Sequence, residues 1–160
     1  MTNFNNFTWE PVVNHDDEIN IHLLFNISLM SGFILKKRKE LLSGYQLEPW
    51  SYDMLVILYQ SDNIGLSPKE LLKHTGVTSG TMTHRINLLS KEELIISKPS
   101  TKDARSVLIT ISEKGKGKIE KAIKAHAAAS AGILNVLSRQ EQSALQNISK
   151  KLIQTLQQYG

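Results

Sequence analysis

Apolar residues recur at three- and four-residue steps in the first third of the chain, from Ile19 to Leu42. This spacing predicts an amphipathic helix of more than six turns, and Gly44 is placed to end it. Pro49 opens a second apolar-periodic stretch, which Asn63 and Gly65 are placed to close. The pattern therefore predicts two consecutive helices, the first of them unusually long.

Two shorter helices follow, joined by a tight turn. Ser67-Pro68-Lys69-Glu70 is a capping box with proline at the first helical position, and the helix that it starts stops at Gly76. Thr78 is the expected N-cap of the next helix, whose apolar residues Met82, Ile86 and Leu89 face inward. Small polar residues then face outward: Ser79, Gly80, Thr83, His84 and Asn87. Two such helices around an apolar seam are typical of a helix-turn-helix.

The apolar period then changes to that of strands. Leu94 to Ile96 and Val107 to Ile111 predict two strands, with a charged hairpin tip from Lys98 to Arg105 between them. Ser112 caps a long helix that reaches Leu137, and a second capping box, Ser138 to Glu141, starts a final helix. We therefore predict a mainly α fold with a small β-hairpin wing.

Composition narrows the class of protein. The 160 residues suit one domain, and the absence of cysteine excludes disulfides, zinc-thiolate sites and thiol redox sensing. The five histidines lack metal-ligand spacing, and no nucleophile elbow or P-loop occurs. We find no signal peptide and no apolar run near the length of a membrane helix. The expectation is a cytoplasmic protein that is not an enzyme and holds no metal or cofactor.

Charge is unevenly distributed along the chain. The net charge is +4, although the first twenty residues carry four carboxylates and no cation. Between Ser67 and Ala125, twelve Lys and Arg stand against six Asp and Glu. A basic middle segment favours a polyanionic partner such as DNA, and the alternative is a solvated lysine-rich surface.

Three segments in the same order resemble the multiple antibiotic resistance regulator (MarR) family. They are Leu66 to Leu71, Thr78 to Ile86, and Lys102 to Gly115 with its Asp103-Ala104-Arg105 and Ser112-Glu113-Lys114-Gly115. The resemblance implies a winged helix-turn-helix homodimer, joined by its N- and C-terminal helices. It also implies that the dimer binds a pseudo-palindromic operator and usually represses transcription there. A small anionic or phenolic effector would release the protein from DNA. Two departures stand out: Glu93 replaces a glycine, and a single arginine follows Asp103 where a pair is common.

This resemblance, together with the helix and wing patterns, assigns roles to three parts of the chain. Residues 1–18 form an irregular acidic segment, 19–44 and 112–160 the dimerisation region, and 45–111 the DNA-binding lobe. Double-stranded DNA is the expected partner, because a major groove admits one helix and a basic wing suits the flanking phosphates. The expected DNA-contacting residues are Ser67, Lys69, Thr78, Ser79, Gly80, Thr81, Thr83, His84, Arg85, Lys98, Lys102, Asp103 and Arg105.

An effector site is expected between the dimerisation helices and the DNA-binding lobe. Aromatic walls with a few polar groups suit an aromatic or weakly acidic ligand. The candidate residues are His22, Tyr45, Trp50, Tyr52 and Asp53, and the alternative is that Trp50 and Tyr52 pack a hinge. A urate-sensing branch of the family would use Trp9, Asp53 and Arg85, but its second arginine is missing. The alternative function is a winged-helix module that binds protein without binding DNA.

Overall fold

The computed structural model describes residues 9, 11–61, 64–99 and 107–159. Within these ranges the chain forms six helices and one β-hairpin, in the predicted order. Their bounds are α1 His15–Ser43, α2 Pro49–Gln60, α3 Pro68–Thr75, α4 Ser79–Lys91, β1 Ile95–Pro99, β2 Val107–Ile111, α5 Glu113–Leu134 and α6 Arg139–Gln158. The mainly α winged-helix prediction is confirmed.

The hydrophobic core lies almost wholly in the lobe formed by α2, α3, α4, the hairpin and the first half of α5. On α2, Met54, Leu55 and Leu58 are fully buried, and they belong to one cluster with Leu71 of α3 and Met82 of α4. The cluster also includes Leu89 of α4, Leu94 just before the hairpin, Ile95, Ile109 and Ile111 of the hairpin, and Ile119 of α5. The two helices of the helix-turn-helix are thus held by their apolar seam, which leaves their other faces to solvent.

The hairpin is antiparallel, with Ile95 opposite Ile111 and Pro99 opposite Val107. Leu66, just before α3, adds an isolated bridge by exchanging backbone hydrogen bonds of 2.9 and 2.8 Å with Ile109. The strand β1 extends further than Leu94 to Ile96, because Lys98 and Pro99 still pair with β2. Three predicted DNA contacts in the hairpin tip, Lys102, Asp103 and Arg105, lie outside the described residues.

Helix α1 begins four residues before the predicted start. The Asn14 side chain accepts a hydrogen bond of 2.9 Å from the Asp17 N–H and so caps the helix. Asp16, Asp17 and Glu18 occupy its first turn, where carboxylates are favoured by the helix dipole. The acidic residues that we assigned to an irregular segment therefore stabilise the helix start, and the segment 1–18 ends earlier than predicted.

Most of α1 is exposed. Among its 29 residues only Leu42 is buried, and Leu23, Leu24 and Leu35 are each more than half exposed. An 18-residue window has a mean hydropathy of 1.4, so by length and composition alone α1 meets the criterion for a membrane-spanning helix. The sequence has no uninterrupted apolar run of this length; the average over the window is high because the polar residues between the apolar ones, such as Asn20 and Ser28, carry no charge.

Glu93 takes the left-handed conformation at the end of α4, with φ of 60°. The Leu94 N–H donates to the Leu89 carbonyl and the Glu93 N–H to the Ser90 carbonyl, both at 2.9 Å. These two bonds form a Schellman motif, in which glycine is the usual residue at the left-handed position. The helix therefore ends where the family pattern places a glycine, although glutamate stands there.

The end of α5 and the whole of α6 bury no large apolar residue, in contrast to the first half of α5. The Ser112 hydroxyl caps α5 by accepting from the Gly115 N–H, and α5 ends at Leu134, three residues before the predicted end. Helix α6 starts with the predicted capping box of Ser138 and Glu141. No residue of α6 within its bounds is buried, and Ile153 and Leu156 are 55% and 67% exposed.

Candidate nucleic-acid interface

The turn between α3 and α4 is built by local signals. Gly76 ends α3 in the left-handed conformation, with φ of 65°. Two residues later Thr78 caps α4, its hydroxyl accepting from the Thr81 N–H. Met82 and Leu89 then bury one side of α4 in the core. The helix is held by that side and by its capped start, so its opposite side is free to meet a partner.

The outer face of α4 is polar and exposed along its first two turns. It comprises Thr78, Ser79, Gly80, Thr81, Thr83, His84 and Asn87, all of which are exposed. A Cβ added at Gly80 would meet nothing within 4 Å, so the subunit itself does not require glycine there. Short donors and acceptors at a helix N-terminus are the groups that contact base edges and phosphates in a major groove.

Some hydroxyl groups of this face are already engaged. The hydroxyls of Thr78 and Thr81 lie 3.0 Å apart and share a hydrogen bond. The Thr83 hydroxyl donates to the Ser79 carbonyl at 3.0 Å. These bonds fix the side-chain rotamers and leave oxygen lone pairs directed to solvent, so the outer face is ordered before any partner arrives.

Arg85 does not lie on the outer face. It is half-buried, and its guanidinium carbon lies 5.1 Å from the centre of the Trp50 ring on α2. The structure thus places its charge against the lobe, where we had expected a cation for guanine or phosphate. The sequence spacing predicts this inward position, because Arg85 follows Met82 by three positions and precedes Leu89 by four and so lies on the same face of the helix.

The other predicted contacts are distributed over α3 and the wing. The Ser67 hydroxyl donates to the Glu70 carboxylate at 2.7 Å within the capping box, and these bonds with Ser67 lower the pKa of Glu70. Lys69 is exposed at the second position of α3, and Lys98 is exposed near the end of β1. Both lysines are therefore available to an anionic partner, whereas Ser67 has a structural role in the subunit.

A cleft separates the start of α2 from the α3–α4 turn. It has a volume of about 500 Å³, and Trp50, Asp53, His74 and Arg85 supply its aromatic and charged groups. Two of the five predicted effector residues, Trp50 and Asp53, meet here. Arg85, which the urate-sensing branch would use with Asp53, and His74, which we had not assigned to an effector site, complete the cleft.

Tyr52 instead lies in a polar junction that joins three helices. It is buried, and its hydroxyl lies 3.1 Å from Nδ1 of His126 on α5. Arg38 of α1 lies over the Tyr52 ring, 5.3 Å from its centre, and forms an ion pair with Asp53. Burial raises the pKa of Tyr52. We had assigned neither Arg38 nor His126 a role in an effector site, so this junction was missed.

The remaining effector candidates lie elsewhere. His22 faces Glu18 one turn away on α1, with 3.8 Å between Nε2 and Oε1. Tyr45 lines a separate groove beside α5. Trp9 precedes α1, where its backbone N–H donates to the Glu18 carboxylate at 2.9 Å, and Trp9 does not line the cleft. The subunit therefore brings two of the five predicted residues into one cleft.

Comparison with known proteins identifies the family. The sequence model of the MarR family matches residues 47–107, which include α2, the helix-turn-helix and β1. The organic hydroperoxide resistance transcriptional regulator of Bacillus subtilis (strain 168) is 31% identical over 101 residues, which cover 63% of this chain and 67% of that protein. The chain belongs to the MarR family.

Other relatives and solved structures agree with this assignment. The HTH-type transcriptional repressor YetL of Bacillus subtilis (strain 168) is 25% identical over 118 residues, 74% of this chain and 69% of that protein. The Staphylococcus aureus MepR–DNA complex superposes with a TM-score of 0.71 at 17% identity, covering 82% of this chain and 94% of MepR. Apo MarR from E. coli superposes with a TM-score of 0.67 at 20% identity, covering 81% of this chain and 96% of MarR. The fold of this MarR-family chain is thus that of winged-helix transcription regulators.

Proposed function

We propose that this MarR-family regulator binds a pseudo-palindromic DNA operator as a homodimer and represses transcription there. The observation that carries the proposal is the outer face of α4, which is polar, exposed and ordered by its own hydrogen bonds. Lys69 and Lys98 flank it as candidate phosphate contacts. MepR, which shares this fold, has been crystallised on DNA.

The dimer is supported by the terminal helices. Helices α1 and α6 together bury a single residue in the subunit, Leu42, while many of their Leu and Ile side chains are exposed. A monomer rarely exposes so much contiguous apolar surface, so a second copy is the expected cover. Burial of α1 against a second copy would also explain why its hydropathy is as high as that of a membrane helix although no membrane is involved. We propose that the protein acts in the cytoplasm.

Sedimentation tests the dimer. The wild-type chain should sediment as a dimer at micromolar concentration, and Leu156→Glu, which places a carboxylate on the exposed stripe of α6, should shift it toward the monomer. Lys150→Glu, on the same helix, is the control for added charge. A stable wild-type monomer would contradict the proposal.

DNA binding is tested by fluorescence anisotropy on the promoter region beside the protein's own gene. His84→Ala should weaken specific binding by about 1–3 kcal/mol if the side chain contacts a base edge. Lys98→Ala should weaken specific and nonspecific DNA alike and reduce the salt slope by about one. A wild-type protein without salt-dependent DNA binding would favour the alternative of a winged-helix module that binds protein.

We further propose that a small aromatic anion binds in the cleft of Trp50, Asp53, His74 and Arg85 and weakens DNA binding. Arg85 belongs to α4, so a ligand that moves it also moves the recognition helix. The ligand shifts DNA affinity only by its own preference for the unbound geometry, and a coupling of about 1–3 kcal/mol corresponds to roughly 5–150-fold.

Salicylate titration monitored by tryptophan fluorescence tests this cleft. Trp50→Phe should remove most of the signal change, and Arg85→Gln should weaken binding. Trp9→Phe is the matched control, because Trp9 lies outside the cleft. Unchanged affinity in Arg85→Gln, or binding without any change in DNA affinity, would contradict the proposal.

A further inference from the structure

A second groove lies between the α1–α2 turn and the first half of α5, away from the cleft described above. Its volume is about 430 Å³, within the range typical of small-ligand sites. We call it the lysine groove. Its lining consists of Gly44, Tyr45, Gln46, Glu113, Lys114, Gly117, Lys118 and Lys121.

Three lysines line this groove from one side of α5. Lys114, Lys118 and Lys121 are spaced by four and three residues, so they occupy one helix face and span a rise of about 10 Å. Glu113 is the one carboxylate in the lining, and it is already paired with Lys116 at 2.9 Å. The groove therefore carries an excess of positive charge on successive turns.

The side chains of these lysines make only weak interactions within the subunit. Lys114 pairs with Glu93 at 2.8 Å, but both side chains are more than half exposed. Lys118 donates to the Gln46 carbonyl at 3.4 Å, and Lys121 makes no hydrogen bond or ion pair in the described part of the chain. Exposed pairs of this kind contribute little to stability, so an anion can replace them at small cost.

The opposite wall is aromatic and fixed. Tyr45 is half-buried, packs against the core cluster and also lines the groove, so the core holds this aromatic residue in place. The floor is open at Gly117, where an added Cβ would meet nothing within 4 Å. An aromatic wall beside a row of point-like cations suits a ligand that combines a planar ring with phosphate groups.

We propose that the lysine groove binds a small phosphorylated ligand with an aromatic base, of the chemistry of a nucleoside diphosphate. The groove has a volume of about 430 Å³, which favours a small molecule. It also lies beside the C-terminal end of α4, at the Glu93–Lys114 pair. That end is about 20 Å along the helix from the first turn of the outer face, so this ligand and DNA need not share residues.

Isothermal titration of the full chain without DNA tests the proposal, with adenosine 5′-diphosphate, pyrophosphate and adenosine as separate probes. The diphosphate should bind more tightly than pyrophosphate, and adenosine most weakly. Lys118→Gln and Lys121→Gln should each weaken diphosphate binding by about tenfold, the value of one charge-assisted hydrogen bond. Lys124→Gln, on the same helix but outside the groove, should leave it unchanged.

Gly117 provides a matched pair that keeps the protein folded, because both replacements favour a helix more than glycine does. Gly117→Glu should abolish binding by placing a carboxylate among the lysines, and Gly117→Gln should weaken it less. Absence of diphosphate binding at millimolar concentration, or equal affinity in wild type and Gly117→Glu, overturns the site. Pyrophosphate binding as tight as that of the diphosphate overturns the role of Tyr45 and the base. Because DNA is absent, none of these outcomes depends on operator binding.

Discussion

The guanidinium of Arg85 lies over the indole ring of Trp50, with 5.1 Å between Cζ and the ring centre. This cation–π contact joins α4, the candidate recognition helix, to the first turn of α2. Asp53, which lines the same cleft, forms an ion pair with Arg38 of α1. A continuous set of contacts therefore runs from the long terminal helix to the helix proposed to enter DNA.

Arg85 should contribute more to the stability of the lobe than to base recognition. Arg85→Met keeps most of the aliphatic stem and removes the charge, and we expect it to cost about 0.5–2 kcal/mol of unfolding free energy. A double-mutant cycle with Trp50→Leu should return a coupling of similar size, measured by urea denaturation. A coupling near zero, with operator specificity relaxed in Arg85→Met, would show instead that the guanidinium contacts bases.

Glu93→Gly should stabilise the protein. Glutamate at a φ of 60° is strained, whereas glycine adopts this conformation freely. The substitution also removes the exposed ion pair with Lys114, which is a small loss. We expect the melting temperature to rise by about 2–4 °C, as for other modest stabilisations in a chain of this size. Glu93→Gln, which keeps the strain and loses the ion pair, is the control, and it should not raise the melting temperature.

The local features of this fold were predictable from the sequence. Ser67, Thr78, Ser112 and Ser138 each cap the helix that follows, because an N-cap is decided by a few neighbouring residues. The end of α4 was one exception, as were the Asn14 cap of α1 and the early end of α5. The left-handed residue at the end of α4 is Glu93, and the sequence offers no local sign that a glutamate will take this conformation.

The candidate sites were less predictable, because their contacts join distant parts of the chain. Tyr52 and His126 are separated by 74 residues, and Arg38 reaches Asp53 across the α1–α2 turn. Tyr45, Trp50 and Tyr52 are close in sequence, which suggested one site. The turn into α2 instead places Tyr45 in the lysine groove, Trp50 in the cleft and Tyr52 in the buried junction. The spacing of Arg85 from the buried Met82 and Leu89 indicates an inward position. We nevertheless assigned Arg85 to DNA, because the resemblance to the family led us to expect a cation that contacts DNA.

Acid should destabilise the protein partly through its two capping boxes. Hydrogen bonds from the Ser67 and Ser138 hydroxyl and backbone N–H groups lower the pKa of Glu70 and Glu141 below 4.5. A carboxylate whose pKa is lower in the folded state stabilises it above the unfolded value and loses that effect as the pH falls through the folded value. The contribution is therefore present at neutral pH, begins to fall as the pH drops below about 4.5, and is lost once the pH is below the lowered folded-state pKa.

The double variant Glu70→Gln/Glu141→Gln tests this dependence. Its melting temperature should be lower than that of the wild type at pH 7 and should fall less between about pH 5 and pH 3. Glu92→Gln is the matched control, since the Glu92 carboxylate makes no hydrogen bond or ion pair in the described part of the chain. Parallel curves for the wild type and the double variant would show that neither capping carboxylate contributes to the acid sensitivity.

Two neighbouring glycines of α5 should respond oppositely to alanine. A Cβ at Gly115 would lie 2.2 Å from the Leu94 carbonyl oxygen and 2.9 Å from Cγ1 of Ile111, so the helix would have to move away from the hairpin. We expect Gly115→Ala to destabilise by about 1–3 kcal/mol, as overpacking does. Gly117→Ala meets open space and should stabilise by about 0.5–1 kcal/mol through helix propensity. Urea denaturation of both variants measures the difference, and equal effects would contradict the close contact between α5 and Leu94.

Peroxide should not release this protein from DNA through a thiol, although one relative is named as an organic hydroperoxide resistance regulator. The chain has no cysteine, so neither a sulfenic acid nor a disulfide can form. Among the described methionines, Met54 and Met82 are buried, and Met30 is 46% exposed on α1. Among these methionines, slow oxidation should therefore begin at Met30 and weaken the proposed dimer, and it should leave the DNA-binding face intact.

Operator binding after brief treatment with dilute peroxide should equal that of the untreated protein, and Met30→Leu should resist longer treatment. Rapid release that dithiothreitol reverses would contradict this prediction, because dithiothreitol alone does not restore methionine sulfoxide, which needs a reductase.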